Sequence, residues 1–289
     1  MKKKIYVIGV GLIGGSFAID MRKLFPKSTI IGIDHSEIHL QKALDLKLID
    51  ETSELSKINN PDIIVISVPV KSILNILPIV LKSVNNNSLV IDFGSTKKNI
   101  CQIVKDHPNR QNFLATHPIA GTEFSGPAAA HEGLFEGKNI IICDKDKTDK
   151  SILERGLKIF NLMKMKIGYM DSDSHDKHIA YVSHLSHISS FMLGKTVMDE
   201  EKNEKNIFDM AGSGFESTVR LAKSSPNMWA PIFLQNKTNL VKALDNYIKN
   251  INDLKSKIEN DNKNSILIDL NNINRIKKIL GGIKNNNEK

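Results

Sequence analysis

Cysteine is scarce in this 289-residue chain, and long hydrophobic runs are absent from it. The two cysteines, Cys101 and Cys143, lie far apart and belong to no CxxC motif or Cys/His cluster. This pattern argues against a disulfide framework and a zinc site, and it is typical of a reducing compartment, so we expect a cytoplasmic protein. Because no run of about 18 uncharged apolar residues occurs, we do not expect a membrane-spanning helix.

Acidic residues are fewer than basic ones, and the net charge is +8. Much of the excess lies in Lys/Asn-rich stretches near the C-terminus, without interleaved aromatic residues. Solvated helix faces explain such a distribution better than a nucleic-acid site does, so we expect neither a nucleic-acid nor a membrane partner. The tail from about residue 285 is expected to be disordered.

The first half of the chain alternates β-branched runs with amphipathic stretches, which is typical of a parallel sheet covered by helices. The expected strands are residues 5–8, 29–33, 62–66, 88–91, 113–116 and 139–142, and two of the expected helices are residues 38–46 and 72–81. The predicted fold is an N-terminal α/β Rossmann-like domain with a doubly wound parallel sheet, followed by an all-α domain.

After Asp171 the strand signal disappears, so the predicted domains are residues 1–171 and 172–289. Residues 183–197 are apolar on most sides and predict a buried helix. From Leu240 onward, apolar residues recur at steps of three and four, at Leu240, Leu244, Tyr247, Ile251, Leu254 and Ile258. This seam is suited to packing within the helical domain or to forming a dimer, and the pattern does not separate the two.

A GxGxxG motif, residues 9–14, follows the first expected strand and opens a helical pattern. Basic residues before this stretch give it the outline of a secretory signal, but its glycines fit a nucleotide-binding turn better. Gly9 permits a tight turn, Gly11 lets the backbone approach a pyrophosphate, and Gly14 lets helix and strand pack closely. The predicted cofactor-binding residues in this turn are Gly9, Gly11, Leu12, Ile13 and Gly14.

Asp34 closes the second strand, twenty residues after Gly14. Its carboxylate is expected to accept hydrogen bonds from ribose hydroxyls and to repel a 2′-phosphate, and no arginine follows to offset that repulsion. The predicted cofactor is therefore NAD and not NADP. Three residues after the third long strand are also predicted to line the cofactor, Ser67, Val68 and Pro69, although this segment could instead simply end the strand.

Other strand ends carry residues suited to catalysis. His117 can accept a hydroxyl proton near neutral pH, although it could instead cap its loop. Ser95 could bind the same hydroxyl or cap a helix that begins at Thr96. Farther along, His184 and His187 form an HxxH pattern for which a metal role is the weaker interpretation, and Arg220 could bind a carboxylate or form a surface ion pair.

The ordered segments GVGLIGGS, DFGSTK, THPIAGTEFSG, SHLSH and GFESTVRLAKSSPNMW resemble the prephenate/arogenate dehydrogenase family of tyrosine biosynthesis. The resemblance runs from about residue 3 to residue 258. HPIAGTEFSG is its most specific segment, because other Rossmann dehydrogenases share the glycine loop and lack it. The resemblance implies an NAD-dependent oxidation and decarboxylation of prephenate in a cleft between two domains, and a homodimer.

By this resemblance, His117 and Ser95 match catalytic residues. The implied substrate-binding residues are His187, Arg220, Thr122 and Trp229. Two departures concern the helical half: Ser186 stands where the family usually has a helix-distorting proline, and Val219 stands where it usually has threonine, which removes a hydroxyl next to Arg220. No metal site is expected.

Three other functions compete with this interpretation. Arogenate could replace prephenate as the substrate. A β-hydroxyacid dehydrogenase also joins a Rossmann domain to a helical one, but its usual lysine has no convincing equivalent here. An NAD-binding sensor without turnover would not need Ser95, His117, His187 and Arg220 together.

Overall fold

The computed structural model describes residues 3–204 and 206–285, with side chains up to residue 281. Residues 286–289, where a disordered tail is predicted, lie outside the described part. By backbone contacts the chain forms two compact units, residues 1–237 and 238–289. The predicted boundary at residue 171 stays a prediction.

The first unit is built on an eight-stranded sheet of order β3-β2-β1-β4-β5-β6-β7-β8. The strands are β1 Lys4–Ile8, β2 Thr29–Ile33, β3 Glu51–Thr52, β4 Ile63–Ile66, β5 Leu89–Asp92, β6 Phe113–Pro118, β7 Asn139–Cys143 and β8 Lys166–Met170. Every neighbouring pair is parallel except β6 and β7, which are antiparallel. The predicted Rossmann-like fold is confirmed, and the antiparallel pair is a difference from a wholly parallel sheet.

Helices cover both faces of this sheet. They are α1 Leu12–Leu24, α2 Glu37–Asp45, α3 Val70–Lys82, α4 Lys98–Ile103 and α5 Lys150–Leu162. Along β1, Ile5 and Val7 belong to a core that includes Phe17 of α1, whereas Tyr6 and Ile8 belong to a second core on the opposite face. This alternation follows from the two-residue period of a strand, and a sheet buried on both faces requires continuous apolar strands.

The chain then becomes helical, as predicted. The elements are α6 Ser172–Ile179, a π-helical turn Ala180–His184, α7 Leu185–Glu201, α8 Ser213–Val219, a 3-10 turn Arg220–Lys223, α9 Pro226–Gln235, α10 Lys237–Glu259, α11 Lys263–Ile273 and α12 Ile276–Asn285. Within the described residues, no helix is long and apolar enough to cross a membrane.

The prediction of a buried helix over residues 183–197 is wrong for this chain by itself. Within residues 183–197, His184 and Ser190 are buried, while Met192 and Leu193 are 50% and 37% exposed. An all-round apolar sequence predicts burial without saying which surface covers it. Within one chain, much of the apolar surface of α7 stays uncovered.

Candidate active site

The glycine loop joins β1 to α1 at the carboxyl edge of the sheet. Gly9 has a φ of +89°, in the left-handed region that favours glycine. A Cβ at Gly14 would overlap with the carbonyl oxygen of Gly9 and with Oγ of Ser67. At Gly11 the nearest atom to an added Cβ is the amide nitrogen of Gly126, at 4.0 Å, so this part of the loop is open to a ligand.

Ser67 supports this loop from the neighbouring strand. Its hydroxyl lies 2.8 Å from the carbonyl oxygen of Gly9, to which it donates a hydrogen bond. Val68 also lies close to Gly9, and Pro69 is the residue that precedes the first turn of α3. Whether these three residues line a cofactor stays a prediction, but Ser67 and Val68 clearly shape the loop.

The start of α1 can hold an anion. Its N-cap, Gly11, has no side chain to satisfy the first backbone N–H groups, and no acidic residue lies in the first turn, which Leu12 and Ile13 begin. Such free N–H groups, together with the helix dipole, bind phosphate. Asp34 lies beside this loop, where its carboxylate accepts hydrogen bonds from the backbone N–H of Val10 at 3.1 Å and of Ser36 at 3.0 Å.

His117 lies within β6 and not in the loop after it. Because β5 and β6 are parallel and Asp92 pairs with Ala115, His117 reaches beyond the end of β5 at the same edge as the glycine loop. Its side chain is 9% exposed, and its Nδ1 lies 2.9 Å from Nε2 of His175. The alternative role as a loop cap is not supported by these contacts.

His175 and Asp176 begin a hydrogen-bonded chain behind His117. Nδ1 of His175 lies 2.8 Å from a carboxylate oxygen of Asp176. The same carboxylate accepts the backbone N–H of Lys97 at 2.7 Å and of Lys98 at 3.0 Å. Asp176 therefore caps α4, which begins at Lys98.

The expectation that Ser95 caps a helix beginning at Thr96 is wrong. Helix α4 begins two residues later, and its free N–H groups are taken by the carboxylate of Asp176. The hydroxyl of Thr96 instead donates to the side-chain oxygen of Gln235 at 3.0 Å. Ser95 is half-buried, and its predicted contact with a substrate hydroxyl stays a prediction.

A buried ion pair holds this strand end together. Nζ of Lys97 forms an ion pair with Asp92 and donates to the carbonyl oxygen of Thr116 at 2.7 Å. Both charged side chains are fully buried. Since Thr116 precedes His117, this pair fixes the backbone that carries the histidine.

Burial controls the charge of the histidines at the site. It lowers the pKa of His117 well below the ordinary value, and the positive charges that His175, Lys97 and His184 can carry lower it further. Burial likewise lowers the pKa of His184 to about 4. At neutral pH both rings are therefore neutral, and a neutral ring can accept a proton.

Helices α7 and α9 bring a second group of predicted residues together. The His187 ring stacks on Trp229, with centroids 3.5 Å apart, and Trp229 is buried. Burial lowers the pKa of His187, and the charge of Arg220 contributes to the same shift. Ser190 fastens the Arg220 segment to α7, because its hydroxyl donates to the carbonyl oxygen of Thr218 at 3.0 Å and accepts the backbone N–H of Ala222 at 3.1 Å.

Arg220 is exposed and, among the side chains that the structure describes, has no ion pair. Its guanidinium is therefore available to a carboxylate, in contrast to the surface-ion-pair alternative. Thr122 is also exposed, and its hydroxyl accepts the backbone N–H of Phe124 at 3.2 Å. The described contacts do not link Thr122 to the histidines.

Metal binding gains no support at the HxxH pattern. His184 lies near Asn236, with 3.2 Å between its Nδ1 and the amide nitrogen, whereas His187 stacks on Trp229. Throughout the described residues, no three potential ligands of the His, Cys, Asp and Glu types are grouped for a metal ion.

Sequence reasoning missed the contributions of His175, Asp176 and Lys97. The sequence analysis assigns no role to His175 or Asp176, and it includes Lys97 only as the last residue of DFGSTK. The sequence does contain an adjacent His-Asp pair and a lysine five residues after a strand-end aspartate, and these residue types are rarely buried unless they are paired. Their partners come from distant segments, which spacing does not reveal.

The open sheet, the glycine loop at a bare helix N-terminus and the buried neutral histidine at the strand ends together define a nucleotide-dependent dehydrogenase. Comparisons with known proteins agree with that class. The family model described as prephenate dehydrogenase, nucleotide-binding domain, matches residues 17–169, and the model described as prephenate dehydrogenase, dimerization domain, matches residues 171–272. The chain belongs to the prephenate dehydrogenase family.

Individual relatives are similar along most of their length. The prephenate dehydrogenase of Bacillus subtilis is 31% identical over 277 residues, which cover 92% of this chain and 73% of that protein. The crystal structure of prephenate dehydrogenase from Aquifex aeolicus in complex with hydroxyphenyl propionate and NAD+ has a TM-score of 0.88 and 33% identity, covering 96% of this chain and 98% of that one. Synechocystis arogenate dehydrogenase has a TM-score of 0.75 and 27% identity, covering 95% and 99%.

Proposed function

We propose that this protein oxidises and decarboxylates prephenate with NAD, yielding 4-hydroxyphenylpyruvate, carbon dioxide and NADH, a step of tyrosine biosynthesis. The observation that carries the proposal is the buried, neutral His117 at the carboxyl edge of the sheet, beyond which open α/β sheets bind their ligands. The relatives named prephenate dehydrogenase support it.

The residues around the glycine loop fit NAD. The open backbone at Gly11 and the uncapped start of α1 suit a pyrophosphate, and the Asp34 carboxylate suits ribose hydroxyls. The neighbours of the Asp34 carboxylate are His35, Ser36 and His39, and none of them supplies the fixed positive charge that a 2′-phosphate needs. We therefore expect faster turnover with NAD than with NADP.

The reaction needs one base and one carboxylate-binding group from the protein. His117 takes the proton of the ring hydroxyl, with Ser95 hydrogen-bonded to the same oxygen. Arg220 holds a substrate carboxylate, and His187 and Trp229 form an aromatic wall beside it. Bound NAD supplies the hydride acceptor. Loss of carbon dioxide makes the ring aromatic, which supplies the driving force, so the protein acts chiefly by positioning and electrostatics.

Arogenate is the second candidate substrate. It differs from prephenate in carrying an amino group in place of the side-chain keto group, and the similar Synechocystis structure is of an arogenate dehydrogenase. Both substrates share the ring hydroxyl that His117 needs and a ring carboxylate that decarboxylates.

An assay of NADH formation at 340 nm tests the proposal. Purified protein is given NAD with prephenate, and in parallel with arogenate, at matched concentrations. We expect prephenate to be oxidised with the higher kcat/KM. Faster oxidation of arogenate would assign the second substrate, and no NADH with either would refute the proposed reaction.

We also propose that the protein is a homodimer formed by its helical part. The α10 seam of the second unit is uncovered: Tyr247, Ile251 and Ile258 are 37%, 48% and 58% exposed. Such apolar surface marks an interface, and the matching family model is a dimerization domain. Light scattering should give twice the 32.3-kDa chain mass, whereas a monomer at assay concentration would refute this proposal.

A further inference from the structure

His175 and Asp176 have no role in the proposed reaction, but their hydrogen bonds bear on which ring nitrogen of His117 carries the proton. We infer that His175 and Asp176 are positioning residues that hold His117 with its proton on Nδ1, so that the Nε2 lone pair faces the substrate hydroxyl. The kinetic consequence of this inference rests on the proposed function. The tautomer itself can be measured without any substrate.

The hydrogen-bond donors and acceptors can be assigned by starting from the acceptor Asp176. An ionised carboxylate only accepts hydrogen bonds, and this one accepts two from the backbone, the N–H of Lys97 at 2.7 Å and of Lys98 at 3.0 Å. Its third close partner is Nδ1 of His175, at 2.8 Å. That nitrogen must therefore carry a proton, because two acceptors cannot share a hydrogen bond.

The position of the proton on His117 follows from that of His175. In a neutral His175 with its proton on Nδ1, the Nε2 atom is an acceptor. Nε2 lies 2.9 Å from Nδ1 of His117, which must be the donor. The remaining nitrogen of His117, Nε2, then holds a lone pair, and none of the described residues is hydrogen-bonded to it.

Burial and hydrogen bonds to neighbouring helices hold His175 and Asp176 in place. His175 and Asp176 are each 2% exposed, and Asp176 is tied to α4 by its two backbone bonds and to α9 because its carbonyl oxygen accepts from the side-chain amide of Asn236 at 2.6 Å. The charged or titratable groups that act on the two rings are Lys97 from the β5–α4 segment, which is itself paired with Asp92, together with Asp176 from α6 and His184 from the π-helical turn.

The proton transfer balances without further partners. The substrate O–H bond breaks and an N–H bond forms at Nε2 of His117, and bound NAD would take the electron pair of the substrate C–H bond as hydride, which leaves a carbonyl group on the ring. The bond between the ring and its carboxylate then breaks, carbon dioxide leaves, and the released electron pair makes the ring aromatic with a phenolate oxygen. His117 becomes an imidazolium whose Nδ1–H still donates to His175, and the carboxylate of Asp176 stabilises the new positive charge through His175. The proton on Nε2 then returns to the phenolate oxygen, which gives the phenol product and a neutral His117, so His175 and Asp176 need not change protonation state.

Nitrogen-15 NMR of the protein labelled in histidine tests the tautomer directly. We expect His117 to show a protonated, pyrrole-type Nδ1 and an unprotonated, pyridine-type Nε2 at neutral pH, with His117→Asn identifying the signals. A proton on Nε2 would overturn the inference, because His175 would then be doubly protonated or turned, and His117 could not act as a base.

Kinetics of three variants test the consequence. His175→Leu removes the acceptor and should lower kcat roughly 10- to 100-fold with KM within about threefold, since a lost hydrogen bond to a charged group has an effect of that order. His175→Gln retains a carbonyl acceptor and should recover part of the loss. His178→Gln, an exposed position on the same helix, is the matched control and should leave kcat unchanged.

Asp176→Asn covers the case in which the His175 variants do not fold. It keeps an oxygen for His175 and removes the negative charge, which should make the His117 imidazolium less stable. The acid limb of the kcat/KM profile should then move to lower pH. Either an unmoved limb or a kcat for His175→Leu within twofold of the parent would overturn the positioning role, whereas absence of turnover in the parent protein would refute the proposed function alone.

Discussion

At the scale of single residues, the site combines groups whose roles follow from where their partners lie. His117 is neutral because it is buried. Its Nδ1 is hydrogen-bonded to His175, so its Nε2 is the nitrogen that can accept a proton. Arg220 is exposed, and Ser190 holds its segment against α7. The first residue is suited to proton transfer and the second to binding, so their variants should differ in kind.

His117→Asn should lower kcat by a factor on the order of 10² to 10⁴, because asparagine can keep a hydrogen bond to His175 but cannot take a proton near neutral pH. The KM for prephenate should change little. Steady-state NADH formation with prephenate measures both constants, and near-normal turnover would remove His117 from the mechanism.

Arg220→Ala should raise the KM for prephenate about 10- to 150-fold with a smaller effect on kcat, because a hydrogen bond between charged groups contributes about 1.5–3 kcal/mol. Lys223→Ala, in the same 3-10 turn, removes a positive charge that pairs with Glu216 at 3.7 Å and serves as the control. Equal effects of both variants would mean that general charge, and not a specific contact, binds the substrate.

At the scale of elements, local sequence explains most of the sheet and some departures from it. Apolar β-branched runs predicted six strands, whereas β3 and β8 were missed. β3 has only two residues, both exposed, and β8 is partly exposed and contains a glycine, so neither has the apolar run of a buried strand. The antiparallel pairing of β6 and β7 depends on the path of the connecting loop, which carries no periodicity.

Helix α1 carries an unfavourable charge next to the core. Burial raises the pKa of Asp20 to about 6, with Lys23 opposing the shift and Glu132 and Glu136 adding to it. The folded state thus binds this proton more tightly than the unfolded chain does, and an ionised Asp20 destabilises the fold above about pH 6.

Asp20→Asn should therefore raise the free energy of unfolding by about 1 kcal/mol at pH 8. The full shift corresponds to about 3 kcal/mol, which we reduce because the side chain is partly exposed to water. Urea denaturation at pH 8 and pH 4 measures the gain, which should vanish at the lower pH. Asp106→Asn, an exposed position, is the control, and an equal gain there would argue against burial as the cause.

At the scale of the whole molecule, stability depends on pH through the buried histidine His184. His184 is fully buried, and none of the described residues is hydrogen-bonded to its Nε2 atom. Its pKa of about 4 in the folded state lies below that in the unfolded chain, near 6.5. Between these values the unfolded chain binds a proton that the folded protein does not, so stability falls as the pH is lowered.

Lowering the pH from about 6.5 to about 4 should cost up to about 3 kcal/mol of unfolding free energy through His184 alone. Chemical denaturation at fixed protein concentration across this range measures the slope. His184→Gln should flatten it, and the same slope in that variant would assign the acid sensitivity to other groups, of which His117 is the first candidate.

Sequence by itself determined the Rossmann-like fold, the glycine loop, the helical second half and the family. These follow from features that are local in the chain: the period of apolar residues, the glycines of one turn, and motifs such as HPIAGTEFSG. It also singled out His117 and Arg220 as chemically suited residues, because their side chains have properties that a dehydrogenase needs.

Only the tertiary structure decided which residues work together. Asp176 caps α4 and, through His175, sets the hydrogen bonding of His117, although 78 to 79 residues separate it from its backbone partners in that helix. The carboxylate of Asp176, and not the side chain of Ser95, caps this helix. Hydrogen bonds and burial depend on distance in space, so contacts between segments this far apart are fixed by the packing of the whole unit and leave no local pattern in the sequence.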